Sequence, residues 1–547
     1  MNDSQALRPP LHRNIMAVVW PWLMILAVVV FTGLIRGRLL DLPLERDEGE
    51  YAYAGQLILE GVPPFQLAYN MKLPGTYYAY AAGMRLFGQS AAGIHWTLIV
   101  VSSLTTVFLF LLGRRLLGVT SGKIGAVTCG LLLVSPTVLG LSAHANHFVI
   151  LFAVPAAWVL WHAVGNGRNR WFFLSGLLTG IALLMKQQAL FIILFGALVV
   201  LWNGWRQKLS IRRMMTNGFW FGGGAVLPFA LLCVYLWLAG VFPKFWFWTF
   251  TYASRYATAT SLADGMANLA AFLVAPSHWY VSLGFLGLAV AGLFLALRRE
   301  DMRQPLEFLA LFGLCSFLAT ATGLYFRPHY FILLLPAFSL LVGLGVQLWK
   351  EQLRSLRPDG MLWLIPPVGF ALIVAGNICG QRNYFFKLSP DEVSRRSYEG
   401  EYFPEIFTVA GYVRDHSQPE DFIAVVGSEP QIYFYAHRRS ATGFLYTYAL
   451  MEAHPYARVM QKDLAREIEA AQPEYVVDIG YNNSWIVGRQ SELGVFRWFN
   501  GFTAEHYNRV GLVELGQGPA RYYWGEEAAQ LPEKLGDYIA IYRRKGG

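Results

Sequence analysis

The sequence predicts a mainly α-helical, polytopic transmembrane helix bundle followed by a soluble C-terminal α/β domain. Of its 547 residues, 55% are hydrophobic and only 14% are charged, whereas soluble proteins carry about 25% charged residues. The apolar residues form blocks of about 20, the length at which a helix spans a bilayer. Charged residues and short alternating patterns become frequent only after residue 380, which indicates a second, water-soluble domain.

Eleven apolar blocks are predicted to span the membrane. They lie at residues 14–35, 92–113, 122–141, 147–164, 171–185, 189–204, 218–240, 279–297, 305–324, 329–348 and 361–379. The fifth and sixth blocks form one apolar run that is interrupted by Lys186-Gln187-Gln188. We interpret this run as two short helices that meet at the polar break. One tilted helix in its place would invert the orientation of every later span.

The distribution of basic residues favours one orientation of the bundle. Lys and Arg are in excess in the short loops on the side of the N-terminus, which is typical of cytoplasmic loops. An odd number of spans then places the C-terminal domain outside. The net charge of +9 has the same origin, so the sequence indicates no nucleic-acid partner. The expected location is the plasma membrane, which is the inner membrane in a bacterium with two.

Two domains are predicted, a transmembrane domain over residues 1–380 and an extracytoplasmic domain over residues 381–547. The first outer loop, residues 36–91, is too polar to span the membrane. Helical spacing over Asp47–Glu60 and over 74–87 predicts two amphipathic helices that lie along the membrane surface. The tail alternates between strands and helices, which predicts a small α/β fold. The strands are at 422–426, 475–479 and 538–542, and the helices are at 430–436 and 464–471.

Adjacent carboxylates follow the first span at the outer surface. Asp47 and Glu48 are expensive to place at a membrane interface unless they are paired, metal-bound or solvated. The simpler interpretation is a solvated helix N-terminus, where acidic groups complement the helix dipole. The functional interpretation is a general base or a metal ligand directed into a cavity.

Basic residues interrupt apolar sequence at three other points on the same side. They are Lys72 in the first loop, Lys186 between the fifth and sixth spans, and Arg327 before the tenth. Each could extend its charge to the interface without a specific role. Together, if the spans bundle, they would converge on the outer leaflet next to the acidic pair. That combination suits the phosphate of an anionic lipid and the deprotonation of an attacking hydroxyl group.

Several short motifs resemble those of the membrane-embedded glycosyltransferases with the GT-C fold. The resemblance is to the branch of dolichyl-phosphate-mannose protein mannosyltransferases and bacterial aminoarabinose transferases. It covers the first ten spans and, more loosely, the tail. The matching segments are 46–52, 61–65, 72–78, 86–88, 180–190 with Lys186, 329–336 and 426–433. The acidic pair in 46–52 is the most specific of them.

The resemblance implies an inverting transfer of a sugar from a polyprenyl-phosphate donor to a lipid, glycan or protein acceptor outside the membrane. Asp47 and Glu48 are the implied catalytic acids. The implied phosphate-binding residues are Lys72, Lys186, Arg327, His329 and Tyr330, and the predicted substrate pocket contains Tyr51, Tyr77, Tyr78 and Asn146. Such a reaction belongs to cell-envelope synthesis, in lipopolysaccharide or cell-wall glycan.

Two positions depart from the family pattern. Leu73 stands at the second residue of the family's Lys-Pro-Pro motif, and Asn146 stands where many members have an acidic residue. The second departure leaves the participation of a divalent metal open. A flippase or transporter of lipid-linked sugar would use the same basic, aromatic cavity and is the alternative function, although it needs no acidic base. The sugar and the acceptor also remain open.

Overall fold

The computed structural model describes residues 11–257, 260–516, 518–532 and 536–546. Its N-terminal two thirds is a bundle of long apolar helices, and its C-terminal third is an α/β region that packs on the outer-loop helices. The helices of the first part are α1 (Leu11–Gly37), α2 (Arg46–Leu59), α3 (Gly75–Phe87), α4 (Ala91–Leu116), α5 (Val119–Leu132), α6 (Ala145–Asn166), α7 (Asn169–Met185), α8 (Leu190–Arg206), α9 (Ile211–Leu238), α10 (Phe242–Trp246), α11 (Ala253–Ala257), α12 (Leu262–Val274), α13 (Pro276–Leu297), α14 (Arg303–Thr320), α15 (Leu335–Leu356) and α16 (Ile365–Gly380).

Each of the eleven predicted spans corresponds to one of these helices. In the described part of the chain, six helices are long and apolar enough to cross a membrane by length and composition. Some of the others are shorter, in places because a turn replaces the helix end. For example, α5 ends at Leu132 and a 3-10 turn at Pro136–Val138 follows, since proline cannot continue a helix interior. The chain is therefore a multi-pass membrane protein, and the full count of eleven crossings stays a prediction.

The predicted break between the fifth and sixth spans is confirmed. Helix α7 ends at Met185, Lys186 has an extended backbone, and a 3-10 turn at Gln187–Ala189 leads into α8. The polar sequence Lys-Gln-Gln thus separates two short helices instead of continuing one.

The two outer-loop helices form where the sequence predicts them, but α2 is not an exposed surface helix. Most of its 14 residues are buried. It lies between α3 and the C-terminal region, so both its polar and its apolar faces have protein partners. Gly49 allows this packing, because a Cβ atom there would lie 2.6 Å from the Cβ of Gln431.

Over the described residues after 380, the C-terminal region contains nine helices and one sheet of six strands. Its helices are α17 (Arg382–Phe386), α18 (Pro390–Ser397), α19 (Phe403–Asp415), α20 (Gln431–Ala436), α21 (Tyr448–Met451), α22 (Ala457–Ala471), α23 (Asn482–Trp485), α24 (Gly494–His506) and α25 (Glu526–Gln530). Its strands are β1 (Phe422–Val426), β2 (Arg439–Ser440), β3 (Tyr475–Gly480), β4 (Tyr507–Glu514), β5 (Arg521–Trp524) and β6 (Tyr538–Arg544). The three predicted strands are β1, β3 and β6.

The strands are ordered β2-β1-β3-β6-β4-β5. Strand β1 is parallel to both β2 and β3, with Ile423 opposite Tyr475. The other pairs are antiparallel, with Val477 opposite Ile541 in the β3–β6 pair. The centre of the sheet is formed by strands rich in β-branched residues, which favour an extended, buried backbone.

One buried apolar cluster joins the two parts of the chain. It contains Tyr51 of α2, Tyr80 of α3 and Phe148 of α6, together with Val425 of β1 and Tyr433 of α20. The region after residue 380 therefore shares a core with the outer-loop helices. This shared core holds the α/β region against the end of the bundle where the candidate site lies.

Candidate active site

A cavity of about 220 Å³ lies between the bundle and the C-terminal region. Its wall comes from five separate segments of the chain: the first outer loop, the break between α7 and α8, the stretch before α11, the stretch before α15, and the C-terminal region around α21. The side chains that carry charge or chemistry are Asp47, Lys72, Lys186, Tyr252, Arg327, His329, Tyr330, Tyr446, Tyr448 and Glu452.

The start of α2 places Asp47 in this cavity. Glu45 is the N-cap residue, and its carboxylate accepts hydrogen bonds from the backbone N–H groups of Asp47 and Glu48. The Glu48 carboxylate in turn accepts a bond from the backbone N–H of Glu45, at 3.2 Å. This reciprocal arrangement is a capping box. It fixes the first turn of the helix and hence the direction of the Asp47 side chain.

Asp47 belongs to a compact network of charges. The ammonium group of Lys72 lies 2.7 Å from Oδ1 of Asp47 and 2.5 Å from Oε2 of Glu50. The hydroxyl group of Tyr77 donates a hydrogen bond to the other oxygen of Glu50 at 2.5 Å. The Lys72 ammonium also lies 4.5 Å from the centroid of the Tyr51 ring. Lys72 therefore pairs with two carboxylates of the protein. The sequence instead predicts that it binds the phosphate of the donor.

These contacts keep Asp47 ionised. Burial alone would raise the pKa of its carboxyl group, but the positive charge and hydrogen bond of Lys72 outweigh it and hold the pKa well below its usual range. Burial likewise opposes the charge of Lys72, yet the attraction of Asp47 and Glu50 raises the pKa of its ammonium group. The pair is thus a carboxylate and an ammonium ion at neutral pH.

The break between α7 and α8 supplies the second cation. The Lys186 ammonium donates a hydrogen bond to Oδ1 of Asn146 at 2.9 Å and lies 4.4 Å from the centroid of the Tyr330 ring. Burial lowers the pKa of Lys186 to about 7, with the partial opposition of the Asp47 charge. An anionic ligand would favour the charged form.

The first loop packs tightly against this break. Helix α3 begins at Gly75, where a Cβ atom would lie 2.4 Å from the backbone oxygen of Leu184. The hydroxyl group of Thr76 donates to the carbonyl of Met185 at 2.8 Å, and the Gln187 amide donates to the carbonyl of Met71. Because of this docking, Lys72 and Lys186 face the same cavity.

The stretch before α15 supplies the third cation and an imidazole group. Arg327 lines the cavity, and its guanidinium group lies 5.6 Å from the centroid of the Tyr325 ring. His329 stacks on His144 with ring centroids 4.1 Å apart. Burial lowers the pKa of His144 to about 4, so this ring is neutral at pH 7.

Asp47, His144 and His329 could together hold a metal ion. One ligand atom from each lies within 4.8 Å of the other two. Nδ1 of His144 is buried and has no hydrogen-bond partner among the described residues. One carboxylate and two imidazole groups are typical ligands of Zn²⁺ and similar transition metals. The donor set therefore fits such an ion, and three nearby cationic side chains oppose its charge.

Glu48 and Tyr78 lie outside the cavity. The Glu48 carboxylate is fully buried and accepts hydrogen bonds from the backbone N–H of Ala143 at 2.6 Å and from the His95 ring at 3.3 Å. These bonds hold the first turn of α2 in place. Tyr78 is 36% exposed on α3. Neither side chain is among the described residues that line the cavity, and the catalytic role of Glu48 and the pocket role of Tyr78 stay predictions.

Tyr51, Tyr77 and Asn146 contact the site from behind its wall. Tyr51 lies beneath Lys72, Tyr77 binds Glu50, and Asn146 binds Lys186. Tyr51 and Asn146 each contact a lysine that lines the cavity, whereas Tyr77 acts through the buried Glu50, and none of the three lines the cavity itself. At the position where many family members have an acidic residue, the amide oxygen of Asn146 accepts the Lys186 ammonium.

The predicted set of site residues did not include six side chains of the site and its support: Glu50, His144, Tyr252, Tyr446, Tyr448 and Glu452. Glu50 could have been found by its spacing, because residues three apart share a helix face and Asp47 was already a candidate. Tyr446, Tyr448 and Glu452 come from the C-terminal region, and no local pattern connects them to the first loop. The Tyr446 hydroxyl group donates a hydrogen bond to Oδ1 of Asp47 at 2.9 Å.

Comparisons with known proteins agree with this architecture. Residues 71–237 match the family described as dolichyl-phosphate-mannose-protein mannosyltransferase. The chain is 27% identical, over 353 residues, to the undecaprenyl phosphate-alpha-4-amino-4-deoxy-L-arabinose arabinosyl transferase of Pseudomonas aeruginosa. That alignment covers 60% of this chain and 59% of the relative, so the chain spans somewhat more than half of the relative's length.

Solved structures show the same fold at low sequence identity. ArnT from Cupriavidus metallidurans, bound to undecaprenyl phosphate, superposes with a TM-score of 0.56 at 14% identity and covers 85% of this chain and 93% of its own. The archaeal oligosaccharyltransferase AglB from Archaeoglobus fulgidus, in complex with an inhibitory peptide and a dolichol-phosphate, gives 0.51 at 12% identity and covers 97% and 76%. The chain therefore has the GT-C fold of the membrane-embedded glycosyltransferases and is similar in sequence to their bacterial aminoarabinose transferase branch.

Proposed function

We propose that this protein transfers a sugar from a polyprenyl-phosphate donor to a hydroxyl group of an extracytoplasmic acceptor, with inversion at the anomeric carbon. The observation that carries the proposal is the shared cavity, in which an ionised carboxylate faces cationic side chains from three other points of the chain. The similarity to aminoarabinose transferases and the GT-C fold support the same reaction class.

Lys186 and Arg327 are assigned to the donor phosphate. Both line the cavity, and neither is the cation that binds Asp47. As the bond between the anomeric carbon and the phosphate oxygen breaks, its electron pair moves to the phosphate. The two side chains stabilise that developing charge, which is the main contribution that a preorganised site makes to such a transition state. The ring face of Tyr330 contacts the Lys186 ammonium, and the imidazole group of His329 can form a hydrogen bond with the donor.

Asp47 is assigned as the base. It accepts the proton of the acceptor hydroxyl group while the new bond forms between that oxygen and the anomeric carbon. Because Lys72 lowers the pKa of Asp47, the carboxylate is a weak base. The proton therefore transfers late, when the attacking oxygen has already gained positive charge. Lys72 holds the carboxylate in place and prevents its protonation before the acceptor arrives.

A divalent metal, when bound, would be held by Asp47, His144 and His329 and would supply a further positive charge to the leaving phosphate. The assignments of this chain's own residues do not depend on it. In the proposed orientation, the N-terminus is cytoplasmic and residues 381–547 are outside, so the cavity opens towards the outer leaflet.

The test compares the wild type with Asp47→Asn and with Asp41→Asn, an exposed carboxylate in the same loop. The purified proteins are supplied with radiolabelled undecaprenyl-phosphate sugars and a bacterial membrane extract as acceptor. We expect transfer by the wild type and D41N, and a loss of about 10²–10⁴-fold in D47N. Equal sugar transfer by D47N and the wild type would exclude Asp47 as the base. Donor binding without transfer by the wild type would favour the transport of lipid-linked sugar.

A further inference from the structure

The C-terminal region places a second carboxylate in the cavity. Glu452 directly follows α21, and it lines the cavity together with Tyr448 and Ala449. Its Oε2 atom accepts a hydrogen bond from the hydroxyl group of Tyr252 at 2.6 Å. Among the described residues, no Lys, Arg or His side chain forms an ion pair with Glu452 within 4.0 Å. Its acceptor capacity is therefore only partly used by the protein.

Aromatic rings surround this carboxylate. Trp248 and Tyr252 come from a π-helical segment, Phe247–Tyr252, and their ring centroids are 5.3 Å apart. Their side chains are buried yet line the cavity, and so does Tyr448. Single π-helical turns are frequently found at functional sites. A hydrogen-bond acceptor beside aromatic faces suits a ring with hydroxyl groups on its edge and C–H groups on its face, because each part finds a matching partner.

The charge of Glu452 is opposite to that of the phosphate-binding side chains, of which Arg327 is near enough to favour the ionised form of Glu452. A phosphate group is attracted to Lys186 and Arg327 and is repelled by a carboxylate. Asp47, the other carboxylate of the cavity wall, is already bound by Lys72. Glu452 in addition borders a groove on the outer face of the C-terminal region, together with Met451 and residues 486–491. Glu452 thus lies where the cavity approaches the outer surface.

We propose that Glu452, oriented by Tyr252 and flanked by Trp248, binds the hydroxyl groups of a sugar ring. This inference deepens the proposed function and rests on it, since it names the chemistry that the cavity recognises beyond the phosphate. The ring could belong to the transferred sugar of the donor or to a glycan acceptor that enters from the outer groove. Both sources present the same chemistry to the carboxylate.

The test separates sugar binding from phosphate binding in the Glu452→Gln variant. Without acceptor, the binding of bare undecaprenyl phosphate is compared with that of undecaprenyl phosphate carrying aminoarabinose, mannose or glucose. If the donor sugar occupies the subsite, at least one loaded lipid binds about 10-fold more weakly to E452Q, and bare lipid binds equally to both proteins. If an acceptor glycan occupies it, all lipid affinities are unchanged and the KM for the membrane-extract acceptor rises by a similar factor.

Two results would overturn the inference. One is an equal loss of affinity for bare and loaded lipid, which would mean a general electrostatic effect. The other is no change in any lipid affinity or in the acceptor KM. If the wild type transfers no sugar, the proposed function is wrong. The sugar-binding role of Glu452 is then decided by comparing how the wild type and E452Q bind loaded and bare lipid.

Two further variants control for indirect effects. Tyr252→Phe keeps the ring but removes the bond that orients Glu452. We expect this variant to change the same quantity as E452Q, either the loaded-lipid affinity or the acceptor KM, by a smaller factor. Glu469→Gln removes a carboxylate that an aromatic N–H group of Trp498 binds outside the cavity. It should leave every affinity unchanged. The thermal midpoint of E452Q should match that of the wild type, which shows that the fold is intact.

Discussion

The hydroxyl group of Tyr446 donates a hydrogen bond to the same Asp47 oxygen that accepts the Lys72 ammonium. Tyr446 belongs to the C-terminal region, and Asp47 belongs to the first outer loop. The candidate base is therefore held from two sides, by one residue of each part of the chain. In the described structure, its second oxygen accepts no hydrogen bond and can face the acceptor.

Removal of this bond should reduce catalysis without weakening donor binding. In Tyr446→Phe, Asp47 keeps Lys72 but loses its second restraint. A hydrogen bond to a charged group contributes about 1.5–3 kcal/mol, so we expect a fall in kcat of about 10-fold or more. The donor KM should stay within about twofold, since Lys186 and Arg327 are unchanged. Tyr402→Phe is the matched control, because its hydroxyl group donates a hydrogen bond to Asp537 and does not line the cavity. An equal fall in kcat in both variants would contradict the assignment.

Donor binding should depend on pH through Lys186. Burial lowers the pKa of Lys186 to about 7, so its positive charge is present below that pH and is lost as the pH rises. We expect the affinity for undecaprenyl phosphate to fall above pH 7. In Lys186→Arg the charge persists across the whole range, and the fall should be smaller. The affinity is measured by isothermal titration of the lipid in detergent between pH 6 and 9. Identical pH profiles of the wild type and K186R would exclude Lys186 as the titrating group.

Glu48 should matter for stability and not for the reaction itself. Its buried carboxylate accepts bonds from the backbone of Ala143 and Glu45 and from His95. In Glu48→Gln at least one buried donor meets an amide N–H group instead of an oxygen, which costs about 1–3 kcal/mol. We expect a lower midpoint of thermal unfolding, while the folded variant keeps the donor KM of the wild type. A stable but inactive E48Q would return Glu48 to the catalytic set.

The buried ion pairs of Arg46 should attach the C-terminal region to α2. Arg46 lies 2.6 Å from Glu429 and 2.8 Å from Glu401. In Arg46→Met, the buried Glu429 carboxylate loses its countercharge, a change that typically costs about 3–5 kcal/mol. We expect limited proteolysis to release the C-terminal region faster. Arg439→Met is the control, since its pair with Glu60 is exposed and contributes at most about 1 kcal/mol. Equal resistance of both variants would show that the apolar contacts suffice.

The sequence predicted the features that depend on local composition. Apolar blocks located the helices of the bundle, and the Lys186 break followed from three polar residues within one such block. Asp47, Lys72, Lys186 and Arg327 line one cavity, as their common side of the membrane indicated. The family resemblance contributed most of the reaction class.

Other features depend on contacts between distant segments and had no local signal. The sequence favoured Glu48 over Glu50 because Glu48 adjoins Asp47, but adjacent residues on a helix point in different directions. Tyr446 and Glu452 reach the cavity only because α20 packs on α2. Strands β4 and β5 were missed as well. They lie at and next to the edge of the sheet and contain several polar residues, so the apolar pattern of the central strands is absent.

The contact between Gly49 and Gln431 has a consequence for the synthesis of the protein. More than 380 residues separate the two partners, so α2 acquires its cover only after residue 431 has been made. In the proposed orientation, that cover must also cross the membrane first. A partly synthesised chain would already hold Lys72 and Lys186 but would lack Tyr446 and Glu452. On the proposed function, such a chain would transfer lipid-linked sugar more slowly until its final third has been exported.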